Sequence, residues 1–442
     1  MLNCKKSSIK KKMKQLKYKI PLLAIAVLLL SHWAIAQRVL TLEEARQLAV
    51  SRNNNLKAAQ QKIEAAEAQK AEAYAKDKPR LDGSVSSWYF GKPLKTLLPD
   101  YGITPSVTVS MPIYAGGKIK SGKELAAKGV EITREQKVLT TAEVVLATES
   151  AYWQVVAAKE KIKLAEQFAR QLQGLHTELN NAFTAGLTYK NDVLQVRVQQ
   201  NDNELNLTRA TDAWILAKLN LAQLTGLSDS TNFVIPDTVF GHFNKETMSS
   251  SMNEIIGNRS EIKILQKSIE AERIQEKMLK ADFKPTLGVS ATGLHAFGKE
   301  GINADKPSSN GFTSYYGMVQ LTIPIIDWGQ RRQKVRQQQH FIMGQQHLLQ
   351  ETKEKISLEV QQAYLQLNES AKRVELSGAS LEQAEENLRL SNDRLKAGTI
   401  TGQDVLEAQT IWQQAFSNII DAKTAYRVNE ARLYKALGIA RL

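Results

Sequence analysis

The chain contains the same unit twice. Ala185-Gly186-Leu187 is followed at 192–194 by Asp-Val-Leu, and 212 residues later Ala397-Gly398-Thr399 is followed by the same three residues at 404–406. Pro112-Ile113 returns as Pro324-Ile325, Gly117 as Gly329, Leu221 as Leu433 and Gly226 as Gly438, all at that offset. Upstream, Lys78-Pro79 and Leu81 return as Lys284-Pro285 and Leu287 with an offset of 206. The six-residue difference therefore falls between 82 and 111 and their counterparts. With several landmarks in one register, the chain is two copies of a unit of about 200 residues.

Proline placement draws the unit. None occurs from 113 to 235 or from 325 to 442, while the others downstream of residue 36 gather at 79–112, 236 and 285–324. Proline breaks helix interiors, so the proline-free tracts are open to helix, and they are rich in Ala, Leu, Gln, Glu and Lys, which favour it. In the second copy Ile356, Val360, Ala363, Leu367, Ala371, Val374, Leu381, Ala384, Leu388 and Leu395 keep a spacing of three or four. That period belongs to helices packed side by side as in a coiled coil.

Lys118 to Ala185 and Gln330 to Ala397 each count 68 residues, or ~100 Å as one helix. The return segments Asp192 to Thr225 and Asp404 to Leu437 count 34 each, or ~50 Å. The segments before the strands, Thr41 to Asp77 and roughly Met248 to Asp282, are similarly short. Each copy thus reads as one long helix beside two half-length ones. No compact globule needs helices of that length.

Between the helices the period changes to two. Val107, Val109, Met111 and Ile113 alternate with Ser106, Thr108 and Ser110; Val319, Leu321 and Ile323 alternate with Met318, Gln320 and Thr322. Strands are expected at about 80–90, 103–113, 286–297 and 315–324. One apolar and one small polar face suit a strand with lipid or core on one side and water on the other. Trp88, Tyr89, Phe90, Tyr101, Phe312, Tyr315 and Tyr316 gather near one set of strand ends, and Tyr114 and Trp328 mark the other. Interfacial belts have this pattern, although strands favour aromatics anyway. Two hairpins give four strands, too few to close a barrel, which needs about eight. Three chains would supply twelve strands and a matching cylinder of helices.

The basic balance of 59 Lys+Arg against 45 Asp+Glu sits mostly at the start. Residues 1–36 hold eight lysines and no acid, then an apolar run from Ile20 to Leu30 and Ser31-His32-Trp33-Ala34-Ile35-Ala36. This is the pattern of an export signal with cleavage expected before Gln37; Met13 to Ala36 would be a complete signal by itself. Without those eight lysines the balance is 51 against 45, and a nucleic-acid partner loses its support. Cys4, the sole cysteine, leaves with the signal, so the exported chain has no disulfide and no thiol nucleophile.

The doubled unit, the junctions Pro112-Ile113-Tyr114-Ala115-Gly116-Gly117 and Pro324-Ile325-Ile326-Asp327-Trp328-Gly329, and the Gly…Asp-Val-Leu helix turns resemble the TolC family of outer-membrane efflux proteins over nearly all of 37–442. The resemblance implies an α+β membrane protein: a homotrimer whose twelve-stranded β-barrel continues as a periplasmic α-helical barrel. Residues 1–36 would be the signal peptide, 37–227 the first repeat, 228–247 a linker near the equator and 248–442 the second repeat. Implied partners are outer-membrane lipid, a periplasmic adaptor and an inner-membrane transporter, with no cofactor.

In that family the helix-turn-helix tips close the channel and meet the adaptor. The matching tips are Phe183 to Leu194, turning at Gly186, and Arg394 to Glu407, turning at Gly398. Asp404 and Glu407 match the family's acidic constriction, and Asn191 and Asp192 match groups bonded in its closed state. The tyrosine and arginine donors of that state are missing: Leu395 and Ile400 stand in their places, with Arg394 and Lys396 nearby. Spacing alone puts Asp404 and Glu407 on one helix face, where threefold symmetry would stack two acidic rings. Asp404 with Thr401 also has the pattern of a capping box, and both roles can hold.

Catalysis has little footing. His176, His242, His295, His340 and His347 show no metal-binding spacing, and phosphate loops, nucleophile elbows and HExxH are all missing. Gln333, Gln337, Gln338, Gln339, Gln345 and Gln346 suit a solvated helix face or an aqueous lumen. The chain reads as an exit duct, not an enzyme. A duct for type I protein secretion and a periplasmic helical scaffold are the alternatives, and the substrate is left open.

Overall fold

The computed structural model describes residues 38–91, 101–227, 232–240, 251–298 and 310–439, with 302, 305 and 308. The export signal with its cleavage site, His242, much of the linker and most of both hairpin loops lie outside the described residues. The first repeat runs β1 (Arg38–Val39), α1 (Leu42–Arg52), α2 (Asn54–Ala75), β2 (Arg80–Tyr89), β3 (Tyr101–Ala115), α3 (Lys118–Thr184) and α4 (Lys190–Thr225). After β4 (Phe233–Val234) the second repeat follows as α5 (Met252–Asn258), α6 (Ser260–Ala281), β5 (Thr286–Gly298), β6 (Gly311–Thr322), α7 (Gln330–Lys396) and α8 (Gly402–Ala436).

The two long helices are 67 residues each, so each reaches ~100 Å. Their partners stack in pairs: α2 and α4 both lie along α3, and α6 and α8 both lie along α7. A third seam joins α3 to α6 and α8. The helices therefore stand in four columns, α2/α4, α3, α6/α8 and α7, each packed on the next. Neither α2 nor α4 packs against α7, so the row has two open sides. Of the expected stripe, Ile356, Val360, Ala363, Ala384 and Leu388 are buried, while Leu367, Ala371, Val374, Leu381 and Leu395 are half-buried. The main core gathers around Tyr152, Val156, Leu164, Phe168 and Leu172 of α3.

Each column runs into one strand, and the sheet keeps the column order: β2-β3-β5-β6, antiparallel throughout. Both edges, β2 and β6, are unpaired among the described residues. Directly opposed residues share a face. Leu81, Val109 and Ala291 fall on one side, as do Val107 and Tyr315, and Val289 and Val319. On that face Leu81 is 68% and Val319 70% exposed. The opposite face carries hydroxyls: Ser84 Oγ lies 2.8 Å from Ser106 Oγ, and Thr108 Oγ1 lies 2.9 Å from Thr292 Oγ1. Tyr316 and Met318 interrupt it in the last strand. Trp88 crosses Gly102 so closely that a Cβ there would meet the indole at 2.3 Å.

The ladder between β2 and β3 has ten pairs and that between β5 and β6 has twelve. Two extra pairs supply four of the six additional residues in the second hairpin, and its loop supplies the other two. Strand ends differ from expectation. β6 begins at Gly311 rather than 315 and ends at Thr322, before Pro324, while β3 continues past Pro112 to Ala115. Pro112 has no N–H, and the ladder accommodates it with a register shift between Pro112 and Tyr114, a bulge that lets the strand go on.

The linker is more structured than its sequence suggests. Its β4 pairs in parallel with β1, and the buried Phe233, Ile235 and Val239 dock on the middle of α3. There Tyr152 Oη donates to Asp237 Oδ2 at 2.5 Å, and Lys159 Nζ donates to the Ile235 carbonyl at 3.1 Å. Burial and the Asp237 carboxylate push the Tyr152 phenol far up, so it stays a donor. No helix among the described residues is long and apolar enough to cross a membrane.

Candidate functional site

At the end of the helices remote from the sheet, two turns are built from the same backbone and different side chains. In both, glycine takes the left-handed conformation after the long helix, with φ 73° at Gly186 and 70° at Gly398. The turn then closes with Leu187 N–H donating to the Ala182 carbonyl at 2.8 Å and Thr399 N–H to the Arg394 carbonyl at 3.0 Å. These bonds satisfy carbonyls that a helix end leaves free.

The starts of the return helices differ. Thr401 caps α8: its hydroxyl accepts from Asp404 N–H at 3.4 Å, and Asp404 Oδ2 accepts from Thr401 N–H at 2.8 Å and from Thr401 Oγ1 at 2.7 Å. The capping reading of Asp404 is therefore realised. Its carboxylate and that of Glu407 are both exposed, one turn apart, with the buried Val405 and Ala408 on the opposite flank. The Thr401 hydroxyl, and then its N–H, hold Asp404 below the ordinary carboxylate value, so it stays anionic. At the first tip Tyr189 occupies the capping position with no side-chain bond. Thr188 Oγ1 instead donates to Asp192 Oδ2 at 2.5 Å. Phe183, Leu187, Tyr189 and Leu194 are exposed there beside Lys190 and Asn191, so the first tip presents large apolar side chains that the second does not.

The two tips are brought together by Gly402. A Cβ on it would meet the Leu179 methyl groups of α3 at 2.6 Å, so α8 starts close against α3 and a larger residue there would push the Leu179 side chain aside. Leu395 and Ile400 are half-buried on the main core. The positions for which the resemblance implied polar donors are packing positions here. Asn191 and Arg394 are exposed, the Arg394 carbonyl serving the turn. Arg394 and Lys396 close α7, where cations suit the helix dipole.

The strand-to-helix junctions form the second pair of candidate positions. Gly117 and Gly329, with φ 95° and 85°, are left-handed and start α3 and α7. The residue before each is also left-handed: Gly116 with φ 65° in one copy, Trp328 with φ 52° in the other. A non-glycine residue pays roughly 1–2 kcal/mol for that conformation. Asp327 braces the second junction by accepting from Gly329 N–H at 3.1 Å, Arg331 N–H at 2.9 Å and Arg331 Nε at 2.6 Å. The Arg331 N–H, then its guanidinium, hold Asp327 below the ordinary carboxylate value.

Sequence reasoning missed Gly402, and it placed Trp328 only as an aromatic at a strand end. It also treated the glutamines of α7 as solvated or lumenal. Gln338 is buried instead, donating to the Glu272 carbonyl at 3.1 Å and to Glu272 Oε2 at 2.5 Å across the α6–α7 seam. Among the described residues no cluster of His, Cys, Asp and Glu could hold a metal.

The model of the outer membrane efflux protein family matches residues 45–227 and 252–439, one match for each repeat. The chain belongs to that family. The alkaline protease secretion protein AprF of Pseudomonas aeruginosa is 21% identical over 295 residues, 65% of this chain and 60% of that protein. TolC of Escherichia coli K12 is 21% identical over 302 residues, 66% of this chain and 61% of its own. The alignments thus span about three fifths of these relatives. A solved structure of the outer-membrane channel OprN superposes with a TM-score of 0.77 at 15% identity, covering 90% of each chain. The fold is that of the TolC-type outer-membrane channels.

Proposed function

We propose that this protein is the outer-membrane exit duct of a tripartite efflux system, formed by three copies of the chain. The observation that carries the reading is the sheet. It has two edges unpaired among the described residues, one apolar face turned to solvent and one hydroxyl face, and each strand continues a helical column whose row is open on both sides. An exposed apolar face on an antiparallel sheet needs lipid or a partner, and joining α7 of one copy to α2 and α4 of the next closes both openings at once. Twelve strands then enclose a lumen whose lining is rich in serine and threonine. A periplasmic scaffold leaves that face uncovered.

The helix tips would lie in the periplasm, where an adaptor joins the duct to an inner-membrane transporter. Asp404 and Glu407 would ring the narrow end, with Asn191, Asp192 and Arg394 around them. Export through the signal at 1–36, with cleavage before Gln37, supplies the route to the outer membrane. A duct for a secreted polypeptide is the second reading, favoured by the similarity to AprF.

The deciding experiment is the mass of the detergent-extracted particle by light scattering, corrected for bound detergent. A detergent-requiring trimer that conducts in planar bilayers is expected; a water-soluble monomer or dimer sinks the reading. In the channel, Asp404→Ala with Glu407→Ala should weaken cation selectivity and block by multivalent cations. Unchanged selectivity would remove the acidic ring and leave the fold standing.

A further inference from the structure

The repeat shows what each open position of the chain is built to meet. Gly116 is buried in the seam between α3 and α6, where a Cβ would point at the carbonyl of Ala281 from 2.7 Å and at Lys284 Cβ from 3.0 Å. Its counterpart, at the offset of 212, is Trp328. Both places have two successive left-handed residues before the long helix. The Trp328 Cβ therefore points toward the next column, and for α7 that column is missing from the chain. The counterparts of Ala281 and Lys284 at the offset of 206 are Ala75 and Lys78, at the end of α2. Ala281 is buried at 5% exposure, whereas Ala75 is open to solvent and Tyr74 beside it is 47% exposed. Trp328 is itself 96% exposed.

We infer that the Trp328 side chain fills the joint between two copies of this chain, against Tyr74, Ala75 and Lys78 at the end of α2 of the next copy. The inference rests on the assembly proposed above and goes beyond it. Within a chain the joint beneath the sheet is closed by a glycine with no room for a methyl group. Between chains the same joint must open by the width of an indole. The ring then has three tight joints and three wedged ones, and the wedge identifies where one copy ends and the next begins. A lipid-facing role fits the geometry less well. The outward apolar positions of the first junction are Ile113 and Tyr114, exposed by 53% and 48% with α6 already in place. Gly116 faces sideways.

Cross-linking tests this, since Cys4 is the only native cysteine and can be changed to Ser. Full-length protein in membranes would carry Trp328→Cys with Lys78→Cys and be treated with a short bismaleimide. The control is Arg373→Cys with Arg209→Cys, the counterparts of Lys161 and Asp421, which pair at 2.7 Å between α3 and α8 within the chain. Intermolecular cross-links at both pairs support the wedge. A cross-link at the control alone overturns it while leaving the ring intact, and none at either overturns the ring and the wedge together. Should Trp328→Cys prevent assembly, the fluorescence difference between the unaltered protein and Trp328→Phe, in vesicles of brominated phosphatidylcholine, decides instead. An unquenched Trp328 signal is expected, and quenching by the bromolipid would make it a membrane anchor and end the proposal.

Discussion

The two halves of the molecule solve one backbone problem with unlike chemistry. Between α1 and α2 stands Asn53, whose Nδ2 donates to the Leu224 carbonyl at the end of α4 at 2.9 Å. Its counterpart between α5 and α6 is Arg259, whose Nη1 donates to the Ala436 carbonyl at the end of α8 at 2.7 Å. Leu224 and Ala436 are themselves 212 apart, so both residues stop the same carbonyl. Asn53 finishes its work locally, accepting from Asn55 N–H at 2.9 Å. Arg259 also binds Glu261 at 2.6 Å and Glu359 at 2.9 Å, tying α6 to α7. The carbonyl is the invariant demand of the fold, and the side chain that meets it is free to take on further partners.

That contrast can be broken most sharply at Arg259. Arg259→Ala strips two carboxylates and a buried carbonyl at once and should destabilise by about 3 kcal/mol, whereas Asn53→Ala should lose about 1–2 kcal/mol. Denaturant midpoints of the two variants check the order, and equal losses would mean that the added carboxylates contribute nothing. Next comes the junction pair. Gly116→Ala places a methyl group against the Ala281 carbonyl and should lose about 2 kcal/mol from left-handed strain and overlap. In the unassembled chain Trp328→Gly should instead be neutral or stabilising. Melting temperatures of both variants test the sign.

The tips give smaller effects. Thr401→Ala removes the cap from α8 and should lose about 1 kcal/mol, while Tyr189→Thr offers α4 the cap it lacks and should gain up to about 1 kcal/mol. Helix melting followed by circular dichroism would register both. Acid sharpens the same comparison. Thr401 favours the charged form of Asp404, so the folded state holds that carboxyl below its ordinary value of 3.8. The contribution is therefore complete above that value and is lost as pH falls through the lower folded one. Cation selectivity carried by Asp404 should accordingly persist down to about pH 4; a loss near pH 6 would point to another group.

Most of the architecture was legible because it is periodic and stated twice. The long helices begin and end within a residue of the expectation at Lys118 and Gln330, since glycine marks both ends. Thr401 with Asp404 was legible as a capping pair because its bonds are local. What escaped depends on distant neighbours. Two-residue strands such as β1 and β4 have no period to detect, and Gln338 looks solvated until α6 is laid against it. Gly402 reveals its purpose only when Leu179 is present. Trp328 was legible in principle, because the repeat register sets it opposite Gly116, and a tryptophan in a glycine's place signals a changed neighbour.

The unequal hairpins shape the far end of the molecule. Two additional rungs lengthen the second hairpin by about 7 Å along the strand. In the proposed ring, taller and shorter hairpins would alternate around the mouth. Its rim would be notched like a three-pointed crown, the paired ends of β5 and β6 standing above those of β2 and β3.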